Sequence, residues 1–289
     1  MSHPAASAAG SSRARAWGAC WRRCSARWGR LAPRLARATG WRVWNPGRYG
    51  EPWHARFRAL YPPEPHPIVV FGLNPGPYGM AQTGIPFTDV RRVLSDLPRL
   101  AAQLARSGSP PVAPGLAPAD LRPWLTRTFE SSAVRVHLFL RSTYGSTEDG
   151  VRRVVVANPC SLLFIDPNGG ANRTPADLGR VLRRRAPGQA DLLLAACERA
   201  RRACALDALQ TLEPRGAVLL GRDVQAALVT DLESRLGAAR VVAWEHPARA
   251  VPRTWAAGLR DALDHRGLLE AAPAAPPEKR PWAAISPAI

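Results

Sequence analysis

Three short stretches of the chain carry polar side chains in equivalent settings: Leu73-Asn74-Pro75-Gly76, Ala157-Asn158-Pro159-Cys160 and Glu245-His246-Pro247. Each follows an apolar run, and each sets one amide or imidazole directly before a proline. An asparagine side chain offers one acceptor and two donors, so it can match the N–H and carbonyl edge of a planar, amide-bearing ring. An imidazole can stabilise negative charge as it develops on a leaving group. A fourth stretch, Gly221-Arg222-Asp223, opens a helical pattern whose first amides could hold a phosphate. Taken singly these are ordinary, since asparagine before proline forms turns and a lone histidine is commonly structural. Their recurrence after successive apolar runs points to one shared site. No nucleophile–base pair emerges from spacing. Ser161 and Cys160 lack a Gly-x-Ser-x-Gly elbow, and the loop after residue 71 lacks the Gly-Lys-Ser/Thr ending of a phosphate-binding loop.

Positioning such a site needs strands that all point the same way. Strand-like runs lie at Ile68–Leu73, Val151–Ala157, Ala217–Leu220 and Arg240–Trp244. Helical patterns fall between and after them at Val90–Leu104, Ala119–Phe129, Ala133–Thr143, Gln189–Leu212, Asp223–Leu236 and Arg253–Leu263. Thr174-Pro175-Ala176-Asp177 has the chemistry of a helix start: a hydroxyl cap, a proline in the first turn and a carboxylate near the positive end. Short apolar strands alternating with helices predict an α/β fold of three layers, a mostly parallel four-stranded sheet covered by helices on both faces. In open sheets of this kind ligands bind beyond the carboxyl ends of the strands, which is where the three polar stretches fall.

Composition narrows the partner. The 289 residues carry a net charge of +18, and 46% are apolar. No stretch approaches the roughly 18 uninterrupted apolar residues of a membrane span. Residues 1–50 hold ten arginines and no acidic residue, which leaves +8 for the remainder. A basic surface of that size favours a polyanion, nucleic acid above all. Lys279 is the one lysine among 40 basic residues, so a general arginine bias contributes to this charge. Cys20, Cys24, Cys160, Cys197 and Cys204 have no metal-ligand spacing, and their odd number fits a reducing compartment. The expectation is no structural metal, no cofactor and no disulfide. Residues 1–42 read as a basic, disordered arm with weak affinity for DNA, with an amphipathic targeting segment and a DNA-contacting arm as alternatives, and 271–289 as a Pro/Ala-rich tail. Ser107–Pro118 reads as a surface loop.

The loop residues carry a resemblance. GLNPGPYGMAQTGIPF (72–87) resembles the first active-site motif of the single-strand-selective monofunctional uracil-DNA glycosylases, the SMUG family. WNPGRYGEPW (44–53), VANPCSLLF (156–164), DPNGGANRTPADL (166–178) and HPAR (246–249) are similar to further family segments, so the resemblance spans roughly residues 44–270. It implies a uracil-DNA glycosylase-like fold over residues 43–270 and a monomer that removes uracil, and 5-substituted uracils, from single- or double-stranded DNA inside the cell. It also implies roles: Asn74 to position the attacking water, Phe87 to stack on the flipped base, Gly76 and Met80 to line the pocket, Asn158 to read the pyrimidine edge, and His246 to sit near its O2. Extrusion of the base is required because the scissile bond is inaccessible inside a duplex. With no amine nucleophile in the motif, base removal is expected without strand cleavage and without a metal.

The second motif departs from the family's His-Pro-Ser-Pro-Arg, reading His246-Pro247-Ala248-Arg249-Ala250. Arg249 is the expected wedge into the vacated stack, with Arg253 behind it, and Gly221 and Arg222 the expected phosphate contacts. Loss of the serine hydroxyl predicts a weaker DNA grip or an altered strand preference, with the chemistry intact. Two alternatives stand beside uracil excision: the same fold acting on hypoxanthine or xanthine, and a catalytically silent protein that binds damaged DNA.

Overall fold

The computed structural model describes residues 4–106, 117–249 and 251–269. The tail expected over 271–289, and most of the loop expected over 107–118, lie outside the described residues. Among the described residues there are seven strands: β1 (Arg42–Trp44), β2 (Ile68–Phe71), β3 (Val154–Ala157), β4 (Leu163–Ile165), β5 (Asn172–Arg173), β6 (Gly216–Leu220) and β7 (Val241–Trp244). Four of them form a wholly parallel sheet in the order β3-β2-β6-β7, with Ile68 opposite Val154 and Gly216, and Ala217 opposite Val241.

Side chains alternate across this sheet as the two-residue period requires. Ile68, Val70, Val154, Val218, Leu220 and Val242 pack on one face against Trp53, Phe139, Trp255 and Leu259. Val69, Phe71, Val155, Ala217, Leu219 and Val241 pack on the other against Trp17, Trp21, Leu209, Val224 and Leu228. Both faces are therefore dry, which explains why the strands read as unbroken apolar runs. The three-layer αβα fold expected from the sequence is what forms.

The N-terminal segment differs from the expected disordered arm. Pro4–Thr39 is one helix, with Pro33 inside it. Trp17, Cys20, Trp21, Cys24, Trp28 and Leu35 are buried along one side. That stripe packs against the long helix Pro187–Leu212, and Cys24 forms a disulfide with Cys204, 180 residues away. The expectation of no disulfide fails because the pairing arises from helix–helix packing that the spacing of the cysteines does not reveal.

Smaller corrections follow local chemistry. The helix expected over 90–104 is two, Val90–Asp96 and Pro98–Arg106, split where Pro98 denies the first helix its continuation. The segment expected as a helix over 119–129 holds only a single 3₁₀ turn, Arg122–Trp124. Val151–Arg153 end the helix Thr147–Arg153 before β3 begins. A second, antiparallel sheet of β1, β4 and β5 has no counterpart in the sequence reading. It lies beyond the ligand end of β3 and sends Asn172 and Thr174 to the mouth of the cleft described next.

Candidate active site

Beyond the carboxyl edge of the parallel sheet lies a cleft of about 1040 Å³. Asn74, Gly76, Met80, Phe87, Asn158, Gly221, Arg222 and His246 all line it. These come from the turns after β2, β3, β6 and β7, so the sheet brings together groups up to 172 positions apart.

The loop after β2 is built around glycines that make room. An added Cβ at Gly72 would lie 2.5 Å from Cζ of Phe87 and 2.6 Å from Oδ1 of Asn158. A hydrogen at this position thus lets the phenyl ring and the carboxamide converge over the strand end. Phe87 itself has φ +50°, a left-handed backbone that is costly for an aromatic residue. Its neighbours hold it there. Thr83 Oγ1 donates to Thr88 O at 2.7 Å and accepts from Ile85 N at 3.1 Å. Behind them, Thr88 Oγ1 lies 3.2 Å from Nε2 of His137, whose Nδ1 lies 3.0 Å from Asp96. Burial opposes ionisation of Asp96. The hydrogen bonds from His137 and Ser95, with the nearby positive charge, outweigh burial and hold its pKa down to about 2.

The three polar groups are differently tied. Asn74 Nδ2 donates to Pro75 O at 3.3 Å and Leu162 O at 3.4 Å, which leaves its oxygen as the acceptor. Asn158 Nδ2 sits 3.3 Å from the Met80 sulfur, while its Oδ1 is buried and has no partner. An unpartnered buried carbonyl costs about 1–3 kcal/mol, and such groups cluster at functional sites. Trp28 of the N-terminal helix donates from Nε1 to Pro159 O at 2.7 Å, anchoring the turn that carries Asn158. His246 Nδ1 accepts from Ala248 N at 3.2 Å, so the neutral ring carries its proton on Nε2. Gly221, at φ +89°, packs against His246, where an added Cβ would stand 3.2 Å from that of the histidine. Its N–H donates to Trp244 O at 2.8 Å, fixing the two strand ends to each other.

Among the expected DNA contacts, Arg222 is exposed at the N-terminus of the 15-residue helix Arg222–Leu236, facing the cleft. Arg249 ends a short turn directly after His246, and its side chain lies outside what the structure describes. Arg253 is exposed in the first turn of the helix Pro252–His265 and does not line the cleft. Cys160 is fully buried, and burial pushes its thiol well above the ordinary range, which leaves it inert. Among the described residues no group of three His, Cys, Asp or Glu side chains is placed to hold a metal ion. No helix among them is long and apolar enough to cross a membrane.

Sequence reasoning missed one wall of the cleft. Arg127, Phe129, Glu130 and Ser132 line it, from the start of the helix Ser131–Tyr144 and the segment before it. The Arg127 guanidinium lies 5.8 Å from the centre of the Tyr78 ring. Nothing about the spacing of these residues marks them, since they follow no strand of the parallel sheet.

Fold and cleft together define an α/β protein whose ligand end gathers two amides and an imidazole. Residues 59–260 match the family model of the Uracil DNA glycosylase superfamily. The chain is 30% identical over 230 residues to the single-strand selective monofunctional uracil-DNA glycosylase of Rattus norvegicus, covering 78% of this chain and 76% of the relative. It is 31% identical over 233 residues to the enzyme of the same name from Bos taurus, covering 78% of each. The crystal structure of wild-type Pedobacter heparinus SMUG2 superposes with a TM-score of 0.55 at 19% identity, over 79% of this chain and 89% of that one, a likeness of fold. The chain belongs to the SMUG-type family of the uracil-DNA glycosylase superfamily.

Proposed function

We infer that the protein is a monofunctional glycosylase that hydrolyses the bond between uracil and deoxyribose in DNA and leaves an abasic site. The observation that carries this reading is the unpartnered Oδ1 of Asn158, buried beside the Phe87 ring. That pairing suits a flat ring whose edge presents an N–H. A base stacked on Phe87 would offer its N3–H to this oxygen and relieve the desolvation cost. The match to SMUG-type relatives over most of both chains supports the same assignment.

In the reaction the C1′–N1 bond breaks and its electron pair leaves with the base. Negative charge builds on the pyrimidine and positive charge on the sugar. His246 donates from Nε2 to a base oxygen as that charge develops, a preorganised donor in a partly dry cleft. Asn74, tethered through its amide nitrogen, accepts a hydrogen bond from water and orients it toward C1′. An amide is too weak a base to remove the water's proton early. Water is therefore captured by a sugar that already carries cationic character, and its proton is lost to solvent afterwards. Gly76 and Met80 form the wall that decides which substituents on the base fit. Arg222, at the helix start that Gly221 opens, contacts a phosphate beside the extruded nucleotide.

A uracil-containing oligonucleotide, incubated with the enzyme and then treated with alkali, should break at uracil. Asn74→Ala and His246→Leu should each slow excision by at least about 100-fold. Undiminished cleavage by either variant would refute the assigned roles. Parallel substrates with hydroxymethyluracil, hypoxanthine and xanthine, in single and double strands, define the range. A preference for the purines would move the assignment to the deaminated-purine alternative.

A further inference from the structure

The wall that the sequence left unread contains an ionisable group without a role in the chemistry above. Glu130 occupies the N-cap position of the helix Ser131–Tyr144, but its side chain makes no capping bond. The carboxyl turns instead onto the Asn74 loop. An added Cβ at Gly76 would come within 3.0 Å of the Glu130 carboxyl carbon, and one at Gly79 within 2.8 Å. The carboxyl thus fills the space that a side chain at either position would need. Ser132 Oγ donates to Oε1 at 2.9 Å, and the Glu130 backbone N–H donates to Asp89 Oδ2 at 2.8 Å.

Burial, more than the mixed charges around it, favours the neutral form of Glu130. On its own segment lie Arg127, whose guanidinium sits over Tyr78, and the Ser132 hydroxyl. Beneath it is Asp89, the cap of the helix Val90–Asp96, with Arg92 4.0 Å from that carboxylate. Across the cleft stand Arg222, Asp223, Glu245 and His246. Burial raises the Glu130 pKa, the Ser132 hydrogen bond offsets part of that, and the Asp89 charge adds to it, bringing it to about 7.

We propose that Glu130 is a positioning residue that serves excision as a neutral carboxyl group: protonated, it seats the Gly76–Gly79 turn without adding charge, and ionised, it sets a negative charge beside a base that must itself become negative on leaving. Ionisation opposes the reaction twice, by repelling the leaving base and by loosening a turn packed against an uncharged group. This inference rests on the glycosylase reading of the same cleft.

Single-turnover excision from a uracil oligonucleotide between pH 5.5 and 9 tests it, with wild type, Glu130→Gln and Ser132→Ala compared. The wild-type rate should fall about tenfold per pH unit above a break near neutrality. Glu130→Gln, neutral at every pH and of the same shape, should keep the acid-side rate within a few-fold and lose the break. Ser132→Ala removes a hydrogen bond that favours the ionised form and should move the break to higher pH. A wild-type profile flat between pH 6 and 8, or a break that persists in Glu130→Gln, overturns the proposal. If Glu130→Gln does not fold by circular dichroism, an unmoved break in Ser132→Ala decides against it. Wild type that cleaves at no pH defeats the glycosylase reading itself, whereas cleavage with a flat profile defeats only the role of Glu130.

Discussion

Gly72→Ala isolates the geometry on which the site depends, because it adds one methyl group at the point where three site elements meet. Gly72 has no left-handed backbone, so alanine brings no conformational strain and its cost is steric. The new carbon would lie 2.5 Å from Phe87 Cζ and 2.6 Å from Asn158 Oδ1, about 1 Å inside ordinary contact. Neither neighbour is a loose end. Phe87 is held in a left-handed conformation by the Thr83–Thr88 hydrogen bonds, and Asn158 by Met80 below and by the turn that Trp28 anchors. Overpacking of this kind costs about 1–3 kcal/mol in stability, which a three-layer domain of this size survives. The effect on excision should be larger, because displacing the stacking ring and the reading amide by about 1 Å costs on the order of 100-fold in rate. The assay is single-turnover uracil excision beside a thermal melt followed by circular dichroism. Gly169→Ala is the control, since nothing lies within 4 Å of the Cβ it would add. A Gly72→Ala enzyme that excises within threefold of wild type would refute the claim that Phe87 and Asn158 are jointly positioned through Gly72.

The buried pair behind Phe87 predicts an acid limb in stability. The Asp96 pKa is lowered from 3.8 to about 2 in the fold, so its contribution is complete above about pH 4 and is lost as pH falls through about 2. The shift corresponds to at most about 2–3 kcal/mol, read as a falling melting temperature between those pH values, and Asp96→Asn should flatten that slope. Deleting residues 1–39 should leave no soluble folded domain, because it uncovers the sheet face that Trp17 and Trp21 bury and removes the Trp28 anchor of the Asn158 turn. A truncated chain with wild-type melting and excision would restore the reading of this segment as a dispensable arm. Under non-reducing conditions a proteolytic digest should contain a peptide of Cys24 joined to one of Cys204, and reduction should lower stability by about 2–4 kcal/mol without ending excision.

How far these features were legible from residues alone depended on whether their signal was local. The parallel sheet was legible because both of its faces are buried, and four short Val/Ile/Leu runs with helical spacers fit few other folds. Asn74, Asn158 and His246 were legible for the same reason, since each stands at a strand's carboxyl end and the sheet does the rest. The N-terminal helix was also written in the chain. Trp17, Trp21, Cys24, Trp28, Leu31 and Leu35 recur every three or four residues, but the density of arginine between them suggested a solvated arm. The arginines are in fact the outer face of an amphipathic helix, where Arg23 and Arg27 reach Asp207 on the helix Pro187–Leu212. Charge composition averaged over a segment concealed a periodicity within it.

Glu130 and the disulfide were illegible for a different reason. Cys24 meets Cys204 only because two helices 180 residues apart pack side by side, and no spacing rule reaches that far. Glu130 enters the cleft from a segment that belongs to no strand, and its place is marked only by what it excludes, the side chains absent at Gly76 and Gly79. The glycines were visible, and a glycine in a pocket loop admits close approach of the backbone to a ligand. The structure adds a second cause, a carboxyl group packed against each. The two causes separate experimentally: if Gly79 is small for Glu130, then Gly79→Ala should be tolerated better in a Glu130→Ala background than in wild type. A double-mutant cycle in melting free energy should give a coupling of about 0.5–3 kcal/mol, the range for residues in direct contact. Additive losses would mean that the loop's glycines answer only to the ligand.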